Sequence, residues 1–173
     1  MATMFCFQCE QTTGGKGCVG TMGKCGKTED VAFLQDRLTG ELIKLAKAAN
    51  SGKPTDRTRR LMLEGLFATV TNVNFDGPSL ERLIDEVSRE RAGLSTHLAT
   101  TSADDRDGDL SWLWTAQEDI RSLKSLVLFG LRGMAAYAYH ALVLGLSDEK
   151  VTAFFYKALE VITDPDVGVE ELS

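Results

Sequence analysis

The fold class is decided by residues 28–50, TEDVAFLQDRLTGELIKLAKAAN. Thr28 is suited to cap the amino end of a helix, and Glu29 and Asp30 suit the positive end of its dipole. Apolar residues then recur at the spacing of one helix face, which predicts an amphipathic helix: Leu34, Leu38, Leu42, Leu45 and Ala49. The stretch Asn50-Ser-Gly-Lys-Pro54 ends this helix.

Helical periodicity returns after Pro54, and no stretch shows the alternation that is typical of a strand. Further helices are expected to begin near Thr55, Leu80, Ala116 and Ser147. The predicted fold class is therefore all-α.

Three regions are expected along the chain. Residues 1–28 form a Cys/Gly-rich loop, residues 29–99 a first small helix bundle, and residues 112–173 a second, incomplete bundle. The polar stretch 99–111 has no periodicity and is the expected connection. At 173 residues and 43% apolar content, the chain is able to bury a core.

The predicted fourth helix, from about residue 116 to 144, is apolar almost all round between Leu126 and Leu146. That stretch is long enough to cross a bilayer. Arg132 and His140 interrupt it, however, and an arginine at the centre of a span costs about 3 kcal/mol. We therefore expect a central buried helix, with His140 as a core residue, and no membrane partner.

The charge balance limits the classes of partner. The chain has 25 Asp and Glu against 19 Lys and Arg, a net charge of −6, and no basic run. This argues against nucleic acid or an anionic membrane as the main partner. The opening residues resemble neither a secretory signal nor a transit peptide, so a cytoplasmic, reducing location is expected.

All four cysteines lie in the first 25 residues: Cys6, Cys9, Cys18 and Cys25. In a reducing compartment such a group is more often metal-binding or catalytic than disulfide-bonded. The interleaved glycines allow the backbone to approach a bound group closely and leave N–H groups free to point at sulfur. The spacing Cys-x2-Cys-x8-Cys-x6-Cys thus predicts the ligands of one metal centre.

Four chemistries compete for these cysteines. Two disulfides are disfavoured by the expected compartment. A structural zinc site suits four thiolates, although zinc ribbons usually pair two short knuckles. A redox Cys-x-x-Cys pair usually opens a helix after a strand, and no strand is predicted before Cys6. An iron–sulfur cluster is the leading interpretation, with a structural zinc site on the four cysteines as the alternative.

Three runs carry a further signal: Met4-Phe-Cys-Phe-Gln-Cys-Glu-Gln-Thr12, Gly17-Cys18 and Gly23-Lys-Cys-Gly-Lys-Thr28. They resemble the amino terminus of the hybrid cluster protein family, whose members are also called prismane proteins or hydroxylamine reductases. Later runs resemble the first domain of that family in the same order: residues 31–36, 64–72, 119–123 and 130–141.

The resemblance implies two small helix bundles and a cubane cluster on the four cysteines. The gap between Cys9 and Cys18 is similar to that of the [4Fe-4S] form of the family rather than the [2Fe-2S] form. The resemblance also implies an oxidoreductase that reduces hydroxylamine to ammonia and is associated with nitric oxide reduction. A nickel–iron carbon monoxide dehydrogenase is the more distant resemblance.

Family members are much longer, and their catalytic hybrid iron–sulfur–oxo cluster is held by later cysteines, a histidine and glutamates. Residues 26–173 contain no cysteine. The resemblance therefore implies that this chain lacks the hybrid-cluster ligands and is inactive in isolation. The expected partners are an electron donor protein and the remaining enzyme domains, in the same or another chain.

Lys24 and Lys27 flank Cys25 and leave two interpretations open. Either they raise the cluster potential by offsetting thiolate charge, or they lie in solvent without such an influence.

Overall fold

The computed structural model describes residues 4–9, 17–95, 110, 113 and 116–173. The predicted connection 99–111 lies outside these residues, apart from Leu110. The described parts contain two strands and six helices: β1 (Met4–Cys6), β2 (Cys18–Gly20), α1 (Glu29–Ser51), α2 (Asp56–Ala68), α3 (Gly77–Ser95), α4 (Glu118–Val143), α5 (Glu149–Val161) and α6 (Val169–Leu172). The all-α fold class is confirmed.

Threonine side chains cap the first two helices. The hydroxyl of Thr28 accepts the backbone N–H of Val31, which confirms the predicted cap of α1. At α2, Thr55 and Thr58 each accept the backbone N–H of the other, so both groups are satisfied reciprocally. These local hydrogen bonds fix where the helices begin.

Helix α1 lies at the centre of the fold, in contact with α2, α3 and α5, and α2 also packs against α4. Helices α1 and α2 approach closely at Gly65, where a Cβ atom would lie only 2.7 Å from Cδ2 of the buried Leu42. Buried apolar side chains of the five long helices form one cluster. The division into two bundles stays a prediction.

Helix α4 is not the centrally buried helix that its sequence predicts. Only 22% of the most apolar stretch of 18 residues in this helix is buried. Leu128, Leu131 and Ala135 face the core, whereas the side chain of Leu126 is 67% exposed and that of Tyr137 is 82% exposed. By length and composition this helix could cross a membrane. The prediction failed because a sequence that is apolar on every face of a helix does not show whether one face or the whole helix is buried.

The prediction for His140 is also wrong. His140 is exposed, and its ring lies edge-on to that of Phe67 with centroids 5.4 Å apart. It follows the buried Ala135 by five residues, which turns it away from the core by well over a right angle.

Tyr156 supplies a test of the core. Its ring is buried, and among the described residues its hydroxyl has no hydrogen-bond partner. Burial raises the pKa of this hydroxyl. Tyr156→Phe is expected to raise stability by about 1 kcal/mol, because an unsatisfied buried group is removed. The thermal midpoint should rise by about 2–4 °C. The exposed Tyr137→Phe is the matched control, and an unchanged or lower midpoint for Tyr156→Phe would contradict the prediction.

Candidate metal centre

The amino-terminal segment forms a small antiparallel pair of strands, which the sequence did not predict. In this pair Cys6 of β1 lies directly opposite Cys18 of β2. Met4 and Cys18 are buried on one face, and Phe5 and Val19 are exposed on the other. Each strand has three residues, which is too short for a detectable alternation. The pairing places two predicted ligands side by side.

Cys25 lies on a tight turn between β2 and α1. The N–H of Gly23 donates to the carbonyl of Lys27 at 2.8 Å, and the N–H of Gly26 donates to the carbonyl of Gly23 at 3.0 Å. The φ angle of Gly26 is +84°, a conformation that favours glycine. A Cβ atom on Gly23 would lie 3.6 Å from Sγ of Cys25. The thiol therefore lies close to the backbone of its own turn.

All four cysteines are free thiols; Cys18 is buried, and the other three are partly exposed. Across residues 4–9, 17–95 and 116–173, no three His, Cys, Asp or Glu side chains are grouped closely enough to hold a metal ion. The strand pairing brings Cys6 and Cys18 together. Neither Cys9 nor Cys25 joins them as a third ligand in this arrangement.

The chemistry of the donor set nevertheless fits a four-thiolate centre. Four free thiols lie on one short segment, two of them paired across the sheet, and an ammonium group lies beside one sulfur. Thiolates are the ligands of both iron–sulfur clusters and structural zinc. Holding one centre requires Cys9 and Cys25 to approach the Cys6–Cys18 pair.

Opposing influences act on the thiol of Cys6. Burial raises its pKa, while the Lys27 ammonium and a backbone hydrogen bond at Gln8 act to lower it. The Nζ atom of Lys27 lies 3.8 Å from Sγ of Cys6. The buried ammonium of Lys27 stabilises negatively charged sulfur ligands more than an exposed lysine would, because the dielectric around a buried charge is lower than in water.

The two lysines that flank Cys25 have different environments. Lys24 is exposed, whereas the side chain of Lys27 is 1% exposed. The interpretation that both lysines lie in solvent is therefore wrong for Lys27.

A second buried cation, Arg132 of α4, lies near enough to this segment for Cys6 to influence it electrostatically. Its Nε donates to Oγ1 of Thr69 at 3.0 Å, and its Nη2 donates to Oγ1 of Thr39, also at 3.0 Å. Desolvation lowers the pKa of Arg132 to about 10, while the charges of Asp36 and Cys6 act to raise it. The amino-terminal segment is thus near two buried positive charges.

Comparison with protein families matches residues 4–172 to the Prismane/CO dehydrogenase family. The chain belongs to the Prismane/CO dehydrogenase family. Its similarity to curated members of the family extends over almost its whole length.

The hydroxylamine reductase of Clostridium perfringens is 38% identical over 99% of this chain and 36% of the relative. That of Acetivibrio thermocellus is 38% identical over 98% of this chain and 34% of the relative. That of Bacteroides thetaiotaomicron is 37% identical over 98% of this chain and 34% of the relative. The chain therefore spans about a third of the length of these Prismane/CO dehydrogenase relatives.

Sequence reasoning missed the groups that surround Lys27. Gln8 and Gln35 supply amide oxygens to its ammonium. Both lie in runs that resemble the family, residues 4–12 and 31–36, so the signal was present. Their polar side chains alone did not indicate burial, because nothing local links residues 8, 27 and 35.

Proposed function

We propose that this chain is the iron–sulfur portion of an oxidoreductase of the hydroxylamine reductase type. Cys6, Cys9, Cys18 and Cys25 would hold one cluster, a [4Fe-4S] cubane. When bound, such a cluster exchanges single electrons. The observation that carries the proposal is the set of four free thiols, one of them beside a buried ammonium, in a chain that matches the family over residues 4–172.

The residues of this chain would bind and shield the cluster rather than carry out the substrate chemistry. Cys18 is buried, and the first turn of α1 packs on the inward face of the strand pair through Ala32. The amino end of α1 therefore lies on the side of the thiolates, where its partial positive charge is favourable. The hybrid cluster that reduces hydroxylamine would be held by polypeptide outside this chain. This chain would be cytoplasmic, and it would be inactive without that polypeptide.

The proposed partner of α4 is that remaining enzyme polypeptide, which corresponds to the two-thirds of the relatives that this chain does not span. Between Ser125 and Ser147 the only charged residue is Arg132, which is buried. Exposed apolar side chains cover the outer face of the helix: Leu126, Phe129, Met134, Tyr137 and Val143. An exposed face that is apolar and carries no charge is typical of a surface covered by protein.

The experiment is anaerobic purification of the chain followed by iron, sulfide and zinc analysis. A cubane gives about four iron and four sulfide per chain. One zinc per chain without sulfide would instead favour the structural zinc alternative and overturn the proposal.

Hydroxylamine reduction is expected only after addition of a polypeptide that carries the second cluster. A dimer of this chain in light scattering, or its binding to lipid vesicles, would overturn the assignment of the α4 face.

A further inference from the structure

The side chain of Lys27 is the feature that the proposed function leaves unexplained. It is one of the largest fully buried side chains among the described residues, with 1% of its surface exposed. An ammonium is rarely buried without a compensating charge, because removing it from water is costly.

The hydrogen-bond partners of this ammonium carry no full negative charge in the thiol state. Its Nζ donates to Oε1 of Gln8 at 2.8 Å and to Oε1 of Gln35 at 2.5 Å, and it lies 3.8 Å from Sγ of Cys6. The amide oxygens satisfy its N–H groups without neutralising it. The positive charge is therefore directed at the sulfur atom.

The two glutamines are themselves held in place. The Nε2 of Gln8 donates to Oδ1 of Asp36 at 3.1 Å, and the Nε2 of Gln35 donates to the carbonyl of Asn74 at 2.8 Å. These bonds fix which end of each amide faces Lys27. The hydroxyl of Thr71 also donates to the backbone carbonyl of Gln8 at 3.0 Å. The ammonium is thus bound by two amide oxygens whose positions are fixed by other hydrogen bonds.

We propose that Lys27 is a positioning residue that raises the reduction potential of the cluster by holding a fixed positive charge against the Cys6 sulfur. The inference rests on the proposed function. One-electron reduction adds a negative charge to the cluster, and a nearby buried cation stabilises that reduced state more than the oxidised one. In the measurement below, the electron comes from an electrode.

Lys27→Met removes the charge and keeps a similar volume. We expect the reduction equilibrium constant to fall at least tenfold, which is a shift of about 59 mV to lower potential for a one-electron couple. Voltammetry of the anaerobically purified full chain measures this shift without any assay of turnover.

Lys24→Met is the matched control, since it removes the same charge beside Cys25 from an exposed position. Its shift should be smaller and should vanish at high salt, whereas the shift of Lys27→Met should persist. Gln35→Glu is the second variant: it keeps the lysine but pairs it with a carboxylate, and it should also lower the potential.

Three outcomes separate the two proposals. Absence of iron and sulfide from the unsubstituted chain overturns the proposed function itself. A loaded chain whose potential is the same with Lys27→Met or Gln35→Glu overturns the role of Lys27. Equal, salt-sensitive shifts for Lys24→Met and Lys27→Met also overturn it, because they would reflect net charge alone.

Discussion

Replacing Cys18 with serine is expected to reduce bound iron from about four to less than about one per chain. Cys18 is 6% exposed and pairs directly with Cys6 across the sheet. Because it is buried, water or a small thiol from solution cannot readily replace the missing ligand. The measurement is iron and sulfide content, with visible absorbance, in anaerobically purified protein.

Val19→Ser is the matched control for this substitution. It lies next to Cys18 on β2, but its side chain is 68% exposed and points away from the paired cysteines. It should retain the full iron and sulfide content. A full cluster in Cys18→Ser, or an equal loss in Val19→Ser, would contradict the assignment of Cys18 as a ligand.

The parts of the fold that follow from local physics were predictable. The cap at Thr28 and the core positions Leu38, Leu42 and Leu45 of α1 are confirmed. Both signals are contained within a few residues: a hydroxyl near free backbone N–H groups, and apolar side chains that recur on one helix face.

The parts that depend on distant contacts were not predictable in the same way. The pairing of β1 with β2 joins Met4 to Gly20 and Cys6 to Cys18, which are far apart in the sequence, and no alternation indicates it. The burial of α4 depends on which helices pack on it, and a uniformly apolar sequence does not distinguish a core helix from one with an exposed apolar face.

The candidate site divides along the same line. Its ligands were predicted from cysteine spacing, but the groups that set its electrostatics lie elsewhere in the sequence. Lys27 is buried by Gln8 and Gln35, which lie 19 and 8 residues away. Arg132 reaches the same region from α4, 93 residues from its acceptor Thr39. Only the folded chain brings these groups together.

Replacing Thr69 with valine is expected to destabilise the fold by about 1.5–3 kcal/mol, since it removes a hydrogen bond to a charged group. Thr69 caps the carboxyl end of α2, and its Oγ1 accepts Nε of Arg132 while donating to the carbonyl of Leu66 at 2.8 Å. Arg132 is already costly to bury, since removal from water lowers the pKa of its guanidinium to about 10. Losing an acceptor adds to that cost.

Two variants isolate the bond between Thr69 and Arg132. Thr69→Ser keeps the hydroxyl and should lower the thermal midpoint by less than Thr69→Val, for which about 3–12 °C is expected. In an Arg132→Met background the effect of Thr69→Val should fall to less than half, because the buried charge is absent. Equal effects of Thr69→Val in the two backgrounds would show that the hydroxyl acts through its bond to Leu66 alone. A reduced effect would instead identify Arg132 as a tie between α4 and the α1–α2 pair, held by threonine hydroxyls on both helices.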